Sequence, residues 1–146
     1  LPMFGNADPV LIHNVDIVSE ADLAHIYNKV KAGDHIATLI TNQRKTSRYL
    51  LFDEDRRLRG WTNVQTGEVK GEQAPVQRAF SGIHVVSAEL ARYLVEYNAT
   101  EPFPIMDFYL SYCSRLSIGS IDLPSECRWV DCGKVESLAK ASEILL

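Results

Sequence analysis

Val10-Leu-Ile-His-Asn-Val-Asp16 is a short apolar run that stops on a carboxylate, and it reads as a buried strand ending at Asp16. Ser19-Glu-Ala-Asp22 then resembles a capping box, and Leu23, Ile26, Tyr27 and Val30 fall on one face of the helix it opens. Gly33-Asp34 closes that helix. Ile36-Ala-Thr-Leu-Ile40 is a second buried run. Strand, helix and strand in this order make a βαβ unit, which predicts that part of the sheet is parallel.

Outward from this unit, Tyr49-Leu-Leu-Phe52 and Leu58-Arg-Gly-Trp61 flank the polar Asp53-Glu-Asp-Arg56, the pattern of a hairpin. The stretch from Asn63 to Gln77 is rich in Gly, Gln and Glu and predicts a surface loop. Ala79-Phe-Ser-Gly-Ile-His-Val-Val86 is a third long strand, with Gly82 inside it. Ser87 predicts the cap of a helix reaching about Tyr97, and Pro102 and Pro104 open another, with Ile105, Phe108, Tyr109 and Tyr112 on its apolar side. Ile118-Gly-Ser-Ile-Asp122 and Arg128-Trp-Val130 read as short strands. After Gly133 a last helix is predicted, with Val135, Leu138, Ala139 and Ser142 at helical spacing. No repeat or linker divides the 146 residues, so a single α/β domain over 1–146 is expected.

Composition narrows the classes. The chain is 46% hydrophobic and 23% charged, ordinary for a soluble domain. A net charge of −4 argues against a general nucleic-acid binder, which needs a basic face. It does not argue against a nucleotide ligand, whose charge a divalent cation can balance. No apolar run is long enough to span a bilayer, and the first residues lack a signal-peptide pattern. Cys113, Cys127 and Cys132 have no zinc-like spacing, and reduced thiols in a cytoplasmic protein are the expectation.

Asp16 and Asp131 both sit where a strand ends, and open α/β sheets bind ligands at the carboxyl ends of their strands. Mg²⁺ is satisfied by one or two carboxylates plus phosphate oxygens and water, so two aspartates suffice for a metal site. On position alone the default is that each begins a turn or caps the next helix, with the metal site as the alternative. Asn14 shares its parity with Asp16 and His13 does not; a lone histidine in an apolar strand is by default a packed residue. Gly82 points either to a bulge or to a ligand lying against the strand. Trp129, two residues before Asp131, offers either a platform for a sugar ring or a half-buried core residue. Asp107 could meet ligand hydroxyls or favour the helix dipole. The basic cluster Arg44-Lys-Thr-Ser-Arg48 reads as a solvated loop, with phosphate contact as the alternative.

Taken together, Val10 to Ile17, Ala37 to Ile40, Phe80 to Ser87, Ile105 to Tyr109 and above all Trp129-Val-Asp-Cys-Gly-Lys-Val-Glu-Ser-Leu138 resemble the sugar-phosphate nucleotidyltransferase (NDP-sugar pyrophosphorylase) family. The flavour is that of mannose-1-phosphate guanylyltransferase-like and N-acetylmuramate-1-phosphate uridylyltransferase-like proteins, which points to cell-envelope polysaccharide. The resemblance implies a Rossmann-like three-layer α/β/α sandwich with a mixed, mainly parallel sheet. It implies an enzyme that makes an NDP-sugar and pyrophosphate from a nucleoside triphosphate and a sugar 1-phosphate. In it, Asp16 and Asp131 would hold Mg²⁺ and carry the catalysis, while Asn14, Gly82, Asp107 and Trp129 would bind substrate.

Two departures stand out. The family's Gly-rich, arginine-bearing loop and Pro-Lys pair are not in this sequence. The resemblance therefore implies a C-terminal portion, with about ninety to a hundred residues of such an enzyme ahead of Leu1, and little catalysis by these residues alone. The family's Glu-Lys-Pro is replaced by Gly60-Trp-Thr-Asn63, which removes the usual sugar-side lysine. A non-catalytic sugar-phosphate or nucleotide-binding regulatory module of the same fold, or a phosphocholine-type relative, are the alternatives. The family pattern is also compatible with a homo-oligomer.

Overall fold

The computed structural model describes residues 8–31, 33–97, 101–133 and 138–145. In chain order the elements are β1 (Val10–His13), β2 (Ile17–Ser19), α1 (Leu23–Val30), β3 (Ala37–Asn42), β4 (Arg48–Phe52), β5 (Leu58–Asn63) and β6 (Val69–Gly71), then β7 (Val76–Val86), α2 (Leu90–Tyr97), α3 (Ile105–Tyr112), β8 (Ile118–Asp122), β9 (Trp129–Asp131) and α4 (Leu138–Leu145).

The eleven-residue β7 organises the sheet. Its last residues pair antiparallel with β1 on one side and β3 on the other: Val86 faces both Val10 and Ala37. β1 and β3 therefore run parallel to each other, as a βαβ unit requires, with β7 inserted between them. Val76 to Arg78 at the start of β7 pair with β4, which continues through β5 to β6. β8 lies parallel to β3, Ala37 opposite Ile118. The sheet is mixed, as expected, but the balance is not mainly parallel. Among the described residues β3–β8 is the only parallel pair, because the inserted β7 and the β4–β5–β6 meander contribute antiparallel partners.

Alternation along the central strands divides the core into two faces. Leu39 and Val86 pack with Phe108, Tyr109 and Tyr112 of α3 and, partly buried, Tyr93 and Leu94 of α2. Ile40, Ile83 and Val85 pack on the opposite face with Ile26 of α1, flanked by Tyr27 and Val30. Helices on both sides of one sheet make the three-layer α/β/α arrangement.

Several local expectations change. Ser19 ends strand β2 instead of capping a helix; the helix begins at Leu23, where Asp22 Oδ1 accepts the His25 amide. A two-stranded sheet, β2 against β9, was not foreseen, since three-residue strands leave little periodicity to read. The polar stretch after Asn63 contains β6 and the start of β7. In α4 the buried residue is Ala141, whereas Leu138, Ala139 and Ser142 are exposed; Val135 lies outside the described residues.

Candidate active-site cleft

β1, β3 and β8 share one direction, so their carboxyl ends lie at one edge of the sheet. Past those ends come Asn14 to Asp16, Gln43 to Lys45, and Leu123 to Ser125. An open cleft of about 740 Å³ lies there, lined by residues 42–46 and 123–125 together with Trp129, Asp131 and Lys140. This is where open α/β sheets place ligands.

A bulge in β7 furnishes the cleft with its anchors. Ile40 of β3 pairs with Ile83 and the next residue, Thr41, with Phe80, so Ser81 and Gly82 are supernumerary. Gly82 adopts φ +85°, a left-handed conformation open to glycine without penalty. Three successive carbonyls of this bulge each accept from a residue of the candidate site. Phe80 O accepts Arg44 Nη1 at 2.8 Å, Ser81 O accepts Trp129 Nε1 at 2.8 Å, and Gly82 O accepts the Asn14 amide at 2.9 Å. The Ser81 hydroxyl closes the bulge by donating to Ile40 O at 2.6 Å.

The two carboxylates come together through the small sheet. Ile17 of β2 faces Asp131 of β9, and the Cys132 amide donates to Asp16 O at 2.7 Å. A methyl placed on Gly133 would lie 3.0 Å from Asp131 Oδ1 and 3.7 Å from Asp16 Oδ2, so both carboxylates converge on one point. Asp131 Oδ1 accepts the Gly133 amide at 2.8 Å; both side chains are exposed and can exchange water for a ligand. Among the described residues no cluster of three or more His, Cys, Asp and Glu side chains could hold a metal unaided. A pair of accessible carboxylates fits a hard cation that takes its other ligands from water and phosphate oxygens.

The remaining sequence candidates separate. Trp129 lies in the cleft wall, half-buried, with the Arg44 guanidinium carbon 4.1 Å from its ring centroid. Asn14 lies beside the Asp pair, packed over Gly82, where an added Cβ would meet its Nδ2 at 3.1 Å and Ile17 Cγ1 at 2.9 Å. Close approach by the β1–β2 turn is therefore sufficient reason for glycine at 82. Asp107 is exposed in the first turn of α3 and does not line the cleft. His13 lies at the end of β1, its Nδ1 hydrogen-bonded to Asn14 O at 2.7 Å.

Arg44 is the residue that sequence reasoning underweighted. It is half-buried: desolvation pulls its pKa below the ordinary guanidinium value, and Asp131 and Tyr49 pull it back. Lys45 and Lys140 line the same cleft, making it locally basic in an acidic chain. The available signal was position, since Arg44 follows the end of a strand by two residues, as Asp16 follows β1 by three.

No helix among the described residues is long and apolar enough to cross a membrane. No family model matches the chain, and no curated protein matches it. Among solved structures it is similar to one described as a glucose-1-phosphate thymidylyltransferase from Bacillus anthracis in complex with sucrose. The TM-score is 0.72 at 16% identity, over 97% of this chain and 56% of that one. The chain thus spans a little over half the length of that structure, and the likeness establishes its fold as a mixed α/β, nucleotidyltransferase-like one.

Proposed function

We propose that the cleft belongs to a sugar-1-phosphate nucleotidyltransferase and binds the sugar 1-phosphate that reacts with a nucleoside triphosphate. The observation that carries this reading is the convergence of Asp16 and Asp131 beside Gly133, at a cleft whose lining joins Asp131 to the cations Arg44, Lys45 and Lys140. Carboxylates and cations in one water-accessible cleft suit a phosphate that arrives with its own divalent ion. The nucleotidyltransferase-like fold and the placement of the cleft at the strand ends support the same class.

In this reaction a phosphate oxygen of the sugar 1-phosphate attacks the α-phosphorus of the nucleotide. A P–O bond forms there as the bond to the β-phosphate breaks, and pyrophosphate leaves with that bond's electrons. Such transfer depends on alignment and charge neutralisation more than on covalent help from the protein. Mg²⁺ held by Asp16 and Asp131 would neutralise charge on the phosphate oxygens and act as a template for them. The protein's own share is orientation. Trp129 is held to the β7 bulge by its indole N–H and gives the cleft a rigid wall, while Asn14 fixes the turn that carries Asp16.

The test is calorimetric titration of the protein with glucose 1-phosphate and mannose 1-phosphate, each with and without Mg²⁺, on wild type and Asp131→Ala. Mg²⁺ is expected to tighten binding in wild type, and the variant should lose that gain, a drop of about tenfold or more. Binding that ignores Mg²⁺, or a variant that keeps the full gain, would rule the reading out.

A further inference from the structure

We infer that Arg44 is the phosphate anchor of this chain, gripping the phosphate of a sugar 1-phosphate at the junction of two cavities. The inference rests on the reading above and names the residue that takes the phosphate within it.

Arg44 lines the 740 Å³ cleft that contains Asp131 and also a second cavity of about 240 Å³, walled further by Arg48, Tyr49, Trp61, Phe80 and Met106. A group held on Arg44 is thus open to the carboxylates on one side and to an aromatic pocket on the other. The smaller cavity falls below the roughly 300–1,000 Å³ of pockets that take drug-sized ligands, so it suits a single ring better than a nucleoside. One wall, Trp61, is capped by the Lys70 ammonium 4.7 Å from its ring centroid.

The guanidinium is set before any ligand arrives. It stacks on Trp129, and its Nη1 donates to Phe80 O at 2.8 Å and Asn42 Oδ1 at 3.0 Å. Those contacts occupy one nitrogen. Among the described residues Nε and Nη2 have no acceptor and Arg44 has no carboxylate partner within salt-bridge distance, unlike Arg56, Arg59 and Arg78, which are paired with Asp122 or Asp53. A half-buried cation left with open donors is matched by an anion with several acceptor oxygens, and phosphate meets a guanidinium fork in bidentate fashion. Prior immobilisation lowers the entropy lost on binding. Asp131 and Arg44 would then approach the same phosphate from opposite charges, the carboxylate through a cation and the arginine directly.

The experiment titrates wild type, Arg44→Gln and Arg44→Lys with glucose 1-phosphate, mannose 1-phosphate and UTP, all with Mg²⁺, alongside thermal melts. For the sugar phosphate that wild type binds, Arg44→Gln should weaken binding by about tenfold or more. Arg44→Lys, which keeps the charge but not the fork, should lose part of that while melting close to wild type. Affinity for UTP should change less than twofold. Sugar-phosphate affinity unchanged in both variants would overturn the assignment and leave the proposed function standing. Loss confined to UTP would also overturn it, moving Arg44 to the nucleotide. Wild type that binds neither sugar phosphate would overturn both.

Discussion

At the scale of single residues, Gly82 connects backbone strain to the candidate site most directly. With φ at +85°, any L side chain there is strained by about 1–2 kcal/mol before contacts are counted. An added Cβ would also press on Ile17 Cγ1 at 2.9 Å and Asn14 Nδ2 at 3.1 Å, the residues on either side of the turn carrying Asp16. Gly82→Ala is therefore expected to lower stability by about 2–3 kcal/mol in urea unfolding and to weaken Mg²⁺-linked ligand binding as well. An unchanged denaturation midpoint would show that the turn yields freely and that the glycine is not needed for its approach.

At the scale of elements, the β4–β5 hairpin is fastened to the parallel edge of the sheet by a charge cluster. Asp122 at the end of β8 accepts from Arg56 at 2.8 and 3.1 Å, from Arg78 at 3.2 Å and from the Thr41 hydroxyl at 2.7 Å. Burial pushes this carboxyl up, but the Arg56 and Thr41 hydrogen bonds outweigh it and hold the pKa at about 2. The folded value lies below the ordinary 3.8, so this stability is fully present above about pH 4 and is lost as pH falls through about 2. Asp122→Ala should destabilise by about 1–2 kcal/mol at pH 7, after allowance for partial solvent screening, and the difference from wild type should vanish near pH 2. A gap that persists in acid would assign the effect to packing instead of charge.

The same elements explain what was legible beforehand. The long apolar runs, Val10 to His13, Ala37 to Ile40 and Ala79 to Val86, revealed the layered α/β class because burial on both faces leaves continuous hydrophobic sequence. The direction of β7 was not legible, since a run buried on both faces reads alike whether its neighbours are parallel or antiparallel, and its insertion between β1 and β3 therefore went unrecognised. Asp16 and Asp131 stood out as carboxylates at strand ends. Their convergence, and the role of the β7 bulge in fixing Arg44 and Trp129 through main-chain carbonyls, depends on contacts between residues more than 30 positions apart. No local pattern encodes such contacts.

At the scale of the whole molecule, acid stability turns on a histidine in the core. His84 is 2% exposed on β7, hydrogen-bonded through Nδ1 to the Tyr109 hydroxyl of α3, with Phe80 packed edge-on to its ring. Desolvation lowers its pKa from the usual 6.5 to about 4, so the folded chain holds it neutral while the unfolded chain protonates it. Between those values the unfolded state binds more protons, and stability falls as pH falls. The contribution is complete above about pH 6.5 and is lost down to pH 4, amounting to about 3 kcal/mol for this shift. That is a large part of the 5–15 kcal/mol typical of a domain. The Asp122 cluster acts only below pH 4, so the two groups titrate in separate windows. Urea unfolding at pH 7.0 and 4.5 should show a loss of about 2–3 kcal/mol in wild type. His84→Gln can keep a hydrogen bond to Tyr109 and does not titrate, so it should be less stable at pH 7 yet show a much flatter dependence over that interval. An equal slope in wild type and His84→Gln would remove His84 as its source and place the acid sensitivity in the exposed carboxylates.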